Sequence, residues 1–208
     1  MATERLEPFR QALLDLRSRL RDGRLEPGAR VTAKDVAEGL KLSPTPVREA
    51  LSRLAGEGVL EERRGDGFFV PELSAVDIVA LYRLNEHLLL ISQGAVGAAR
   101  RDAVPPDHQP GDGPIRLVER LFLAWIREAN SRVILDAYRT TALRLAPVRR
   151  REMEVIPDLE GEARILLELA GPGQRRRRPA AIQAFHRRRV ALAEAMARAL
   201  ERASPQGD

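Results

Sequence analysis

The chain has 208 residues, 44% hydrophobic and 31% charged, a size and balance that allow one large or two small domains and exclude intrinsic disorder. It has no Cys, no run of ~18 apolar residues and no apolar stretch in its charged N-terminus, which excludes disulfide frameworks, thiolate sites, membrane helices and a secretory signal and points to the cytoplasm. The net charge of +5 suits a nucleic-acid partner, but residues 1–75 carry as many acidic as basic side chains, so charge alone locates no binding domain.

Aromatics are only 4% and Ala, Leu, Arg and Glu abound, so a mostly α protein is expected. Phe9, Leu13, Leu16 and Leu20 form one apolar stripe of a helix from about Glu4 to Asp22, with Gly23 ending it. Thr32 followed by Asp35 reads as a capping-box variant opening a short helix that buries Val36, Ala37 and Leu40 and ends near Lys41. Ser43 is placed to cap a third helix and Pro44 fits its first position, with Val47, Leu51 and Leu54 turned inward and Gly56-Glu57-Gly58 at its end. Val59–Glu62 and Gly67–Val70 are strand candidates joined by the basic turn Arg63-Arg64-Gly65-Asp66, a hairpin.

From Ser74 the pattern is helical again over 75–99, then broken from 104 to 114 by a loop with four prolines and two glycines. Further helices are expected at about 115–129, 132–153, 159–170 and 180–202, a C-terminal bundle with a frayed tail at 204–208. The expected architecture is an N-terminal winged helix-turn-helix with a small β-hairpin over 1–73 and an all-helical bundle over 74–208.

Three short helices and a basic hairpin follow the order of a winged helix, whose last helix enters the major groove while the hairpin lies on the backbone or minor groove. Ser43, Thr45 and Arg48 stand at the end of the third helix that would face DNA, where hydroxyls reach phosphates or base edges and Arg binds guanine bidentately.

The run SPTPVREALSRLAGEGVLEERRGDGFFV resembles the GntR family of bacterial transcription regulators, with its S-x-T-P-V-R-E-A-L, R-L, E-G and R-x-G elements, and the likeness extends over about 6–72. The resemblance implies base and phosphate contacts at Lys34, Ser43, Thr45, Arg48, Arg64, Gly65 and Gly67, with Arg53 a further phosphate candidate. Many members have Arg where this chain has Pro44 and Lys34, so one guanidinium is missing and another is replaced by a point charge, which implies a different operator. Pro44 reads first as a helix opener, and Arg48 as a DNA contact.

Leu73–Leu84 is similar to the opening of the helical effector domain of the FadR-like branch of that family, as are Glu128–Val133 and Ala180–His186 to later parts of it. The resemblance implies a homodimer, a small organic acid effector and most often a repressor. Effector-binding candidates are Trp125, Asn130 and His186. Branch members often hold a divalent metal through one Asp and three His, but only His186 falls in place here, Glu162 stands at the middle His position, and Asn85 and Leu89 replace a common Arg and Glu. One imidazole cannot complete a first shell, so no metal and no cofactor are expected.

Trp125, Tyr138 and Phe185 are expected in the core, His186 as a half-buried or surface side chain beside Arg187–Arg189, and the Arg runs 149–151, 175–178 and 187–189 as solvated, with 175–178 in a mobile loop. Two alternatives stay open: that the Arg runs form an additional phosphate-binding surface, and that the helical domain dimerises without sensing a ligand. No nucleophile motif or phosphate-cradling loop suggests an enzyme.

Overall fold

The computed structural model describes residues 7–95, 113–171 and 173–203. The expected tail at 204–208, the start of the first helix at 4–6 and the Pro-rich break up to 112 lie outside these residues. The chain divides into two compact units, residues up to Leu73 together with those from Leu200, and Ser74–Ala199.

In the first unit, helix α1 (Pro8–Asp22) begins on Pro8, whose missing N–H costs nothing there, and closes on Gly23 at φ 79°. Helix α2 (Ala33–Leu40) starts as expected: the Thr32 hydroxyl accepts the Asp35 backbone N–H at 3.2 Å. Helix α3 (Pro44–Gly56) packs on both through Val47, Ala50, Leu51 and Leu54, all at 0% exposure. Ser43 occupies the cap position of α3, but its side chain makes no capping hydrogen bond, which corrects the expectation. A capping oxygen accepts from the second or third helical N–H; the third residue, Pro46, three positions on from Ser43, has none, which leaves only the Thr45 N–H as a donor.

The hairpin forms as β2 (Glu61–Arg63) and β3 (Gly67–Phe69), but it starts later than expected because Val59 and Leu60 turn into the core, both donating to the Leu54 carbonyl. A third strand not expected from the sequence, β1 (Arg30–Val31), pairs antiparallel with β3, giving the order β1-β3-β2. Two residues carry too little alternation to announce a strand.

The second unit holds α4 (Ala75–Ala95), α5 (Pro114–Glu128), α6 (Arg132–Val155), α7 (Leu159–Glu168), α8 (Arg178–Ala191) and, up to Ala199, α9 (Ala193–Ala203). Ser74 and Asp77 open α4 reciprocally, the Ser74 N–H donating to the carboxylate and the Asp77 N–H to the hydroxyl, and the Ser74 hydroxyl and N–H hold the Asp77 carboxyl below its usual range. Helix α4 packs against α5, α6 and α8, and the core is Phe122, Trp125, Leu121, Ile126, Ile182 and Phe185 with its neighbours.

Two expectations are corrected here. The single helix over 180–202 is broken at Leu192, whose N–H donates to the Arg189 carbonyl at 3.2 Å in a tightened turn that no Gly or Pro marks. The run 175–178 is no loop: Gln174–Arg177 form a 3-10 turn and Arg178 begins α8.

The two caps should respond differently to substitution. Thr32→Ala should cost about 1 kcal/mol in urea unfolding of the first unit, whereas Ser43→Ala should change it by less than about 0.3 kcal/mol.

Candidate nucleic-acid interface

The first turn and a half of α3 presents Ser43, Thr45 and Arg48 together, all exposed. The Ser43 hydroxyl makes no capping bond and is not committed to the helix end. Prolines at positions 44 and 46 also remove two of the backbone donors with which a helix N-terminus grips an anion, so side chains must supply the contacts. Arg48 has no carboxylate partner among the described residues, and neither has Lys34, exposed in the first turn of α2.

At the other edge of this unit the hairpin closes over Arg64, Gly65 and Asp66, with the Asp66 N–H donating to the Arg63 carbonyl at 3.0 Å. Gly65 at φ 85° and Gly67 at φ 101° hold backbone conformations that disfavour any side chain. Arg64 is exposed at the tip and has no carboxylate partner among the described residues. A Cβ at Gly67 would lie 3.8 Å from Nε of Arg30, so Arg30 on β1 joins the wing's basic set. Sequence reasoning missed it because β1 itself was not visible.

Not every expected contact is equally free. Nε of Arg53 is 2.7 Å from Glu57, which also accepts from Arg17 at 2.8 Å, so Arg53 is partly committed to holding α1 and α3 together. Arg63 lies over the Phe69 ring at 4.3 Å and bonds Glu61, which raises its pKa.

The effector candidates of the second unit are not brought together. Trp125 is buried, 5.5 Å from the Phe122 ring centre and beneath the Arg178 guanidinium at 4.8 Å. Asn130 is exposed in the turn between α5 and α6 at φ 51°, a conformation Asn tolerates. His186 is fully buried, which corrects the expectation of a half-buried or surface ring: it faces inward next to Phe185, with ring nitrogens 2.7 Å from the Ile182 carbonyl and 2.9 Å from Oδ1 of Asn85. Burial, reinforced by Arg149 and Arg189, pushes its pKa down to about 3.

Around His186 the charged groups pair with one another, although Nε of Arg149 and Nδ2 of Asn85 are buried without a hydrogen-bond partner among the described residues. Arg189 donates to Glu152 at 2.8 and 3.0 Å and to Glu162 at 2.7 and 3.0 Å, while the Tyr82 hydroxyl donates to Glu152 at 2.6 Å. Burial, and the Glu152 charge with it, pushes the Tyr82 pKa well up, and carboxylate pairing outweighs burial to keep Arg189 charged. Arg149 reaches Glu119 at 3.3 Å. Arg178 holds Glu128 at 2.8 and 2.9 Å and the Leu169 carbonyl at 2.9 Å. The expectation that all three Arg runs are solvated is therefore corrected, since each run buries one member: Arg149, Arg178 and Arg189.

The cleft between Pro114, Arg149, Glu152, Glu162, Phe185 and Arg189 has room for about one water molecule. A divalent metal of the kind the sequence resemblance raises does not fit this cleft. A cation would sit among two guanidiniums beside an imidazole whose nitrogens are already engaged, and no group of three or more His, Asp or Glu among the described residues could ligate one. No described helix is long and apolar enough to cross a membrane.

Residues 9–70 match the model of the bacterial regulatory proteins of the gntR family. Over 93 residues the chain is 39% identical to the HTH-type transcriptional regulator McbR of Escherichia coli K12, a stretch covering 45% of this chain and 41% of that protein. Over 62 residues it is 44% identical to the Nta operon transcriptional regulator of Aminobacter aminovorans, 30% of each. The matched stretches thus span less than half of these relatives. In three dimensions it resembles E. coli McbR/YncC with a TM-score of 0.69 at 21% identity, covering 92% of this chain and 99% of that one. It also resembles a GntR structure from Rhodococcus sp. RHA1 with a TM-score of 0.72 at 18% identity, covering 90% and 97%. At these identities the likeness is one of fold, and it extends well beyond the winged unit.

Buried His186 makes stability depend on pH. Unfolded, the ring titrates near 6.5; folded, it stays neutral to about 3, so the stabilisation is complete above 6.5 and is lost as pH falls towards 3. Urea midpoints should fall between pH 7 and 5, and His186→Gln should flatten that slope by up to about 1.4 kcal/mol per pH unit.

Proposed function

From an N-terminal domain that belongs to the gntR family of bacterial regulatory proteins, we infer that this protein is a sequence-specific DNA-binding transcriptional regulator. The observation that carries the reading is the set of exposed groups on the winged unit, Ser43, Thr45 and Arg48 on α3, Lys34 on α2 and Arg64 at the wing, whose cations have no carboxylate partner among the described residues. Arg48 would read a base edge, the hydroxyls and Lys34 would hold phosphates, and Gly65 and Gly67 would let the wing backbone approach the duplex.

Recognition by one such unit is small, and two half-sites one helical turn apart require a homodimer. Helix α4 supplies a face for it. Beyond its buried side it exposes Val76 at 77%, Leu84 at 46% and Ile91 at 54%, so it is apolar on more sides than its own unit covers.

For the helical unit two readings stand. Control by a small organic acid would make the protein a ligand-released repressor. The second reading, dimerisation without a ligand, is favoured by the interior itself. Arg149 and Arg189 already hold Glu119, Glu152 and Glu162, and an incoming carboxylate would have to displace them from a cleft with space for about one water.

Arg48→Ala should weaken specific binding by about 1–3 kcal/mol in fluorescence anisotropy against the protein's own upstream DNA, with scrambled DNA little affected; an unchanged specificity ratio would remove Arg48 from base readout. Leu84→Glu should shift the protein towards monomer in light scattering and weaken operator binding with it. Thermal shifts across a library of carboxylates and sugar acids separate the two readings of the helical unit: a ligand at 100 times its dissociation constant would add about 2.7 kcal/mol, and no shift is expected if the ion pairs close the site.

A further inference from the structure

Pro44 stands exposed at the first position of α3, flanked by the exposed hydroxyls of Ser43 and Thr45 and one turn ahead of Arg48. From 43 to 49, every other exposed side chain, Ser43, Thr45, Arg48 and Glu49, can give or take a hydrogen bond. Pro44 cannot: its side chain is all carbon, and ring closure removes its N–H. It is therefore an apolar knob at the tip of the helix that, on the DNA-binding reading above, enters the major groove.

What such a knob can touch there is limited by chemistry. A phosphate offers it nothing, and the nitrogen and oxygen edges of bases need a donor or acceptor. The one apolar feature of the major groove is the C5 methyl of thymine. We propose that Pro44 is a specificity-determining residue that reads a thymine methyl in the operator. The ring has a fixed φ and no side-chain rotamer freedom to lose, so it presents the same surface before and after binding. Its place relative to Arg48 sets the spacing. Residues four apart rise about 6 Å along a helix and lie on one side of it, and bases rise 3.4 Å along a strand, so the thymine falls about two steps from the base Arg48 contacts.

The test begins with selection of binding sites from a random duplex library by the full-length protein. Each thymine of the enriched site is then replaced by deoxyuridine, which lacks only the methyl. One position in each half-site should weaken wild-type binding about three- to fivefold, and the same replacement should leave Pro44→Gly, which has no side-chain carbon to touch a methyl, unaffected. Glycine at one helical position is a modest cost in stability, so circular dichroism should show the variant folded. Pro44→Arg should change the preferred base at that position to guanine. An enriched site at which no thymine methyl matters, or matters equally in Pro44→Gly, overturns the proposal while leaving DNA reading intact. Failure to enrich any sequence overturns the DNA-reading function and the proposal with it.

Discussion

Arg189 is 1% exposed and yet carries a full charge, and the helical unit is organised around keeping it paired. From α8 it reaches Glu152 on α6 and Glu162 on α7, and Tyr82 on α4 completes the shell of Glu152. Burying an ion costs several kcal/mol, and the cost is offset only while every donor finds its acceptor. Removing Glu152 would leave Nε of Arg189 and the Tyr82 hydroxyl without their acceptor, with the guanidinium 3.2 Å from the Phe185 ring centre. Four helices are thereby held in one register by groups that tolerate no partial arrangement. The adjoining apolar layer of Phe122, Trp125 and Phe185 provides the burial, and the ion pairs determine which burial occurs.

The winged unit follows the opposite rule. Its core is aliphatic, its helices meet through Leu16, Leu51 and Leu54 at 0% exposure, and polar groups are left outside with little to do in the fold. Arg53 is the intermediate case, since the Glu57 that holds it also holds Arg17. The same residue type, arginine, is thus left in solvent at Arg48 and Arg64 in one unit and is a buried strut in the other.

That difference marks the limit of what the sequence makes legible. The α3 motif, the Thr32 cap and the wing glycines are local patterns, and each was readable because the residue and its partner lie within a few positions. Strand β1 was hidden because two residues have no periodicity, and its pairing partner β3 is almost forty residues away. Nothing in RRR at 149–151 or 187–189 says which arginine turns inward. That choice is made by Glu119, Glu152 and Glu162 arriving from other helices, and Arg178 is likewise selected by Glu128 fifty residues earlier. His186 was expected near the surface for the same reason, its neighbours in sequence being charged and its neighbours in space being Asn85, Phe122 and Tyr82. The break at Leu192 carries no local signal at all.

The double proline that opens α3 reaches into how such a protein can change. With one capping donor removed by Pro46, the Ser43 side chain makes no bond to the helix it opens. If the winged unit reads DNA through this tip, as proposed, substitutions at 43 and 45 would retune its preferred sequence at little cost in stability. In the interior of the helical unit, where Arg149, Arg178 and Arg189 are each held by a carboxylate, any new binding preference would need two or more compensating changes at once. Evolutionary drift in this protein would thus be channelled into the exposed helix tip before it reaches the buried ion pairs.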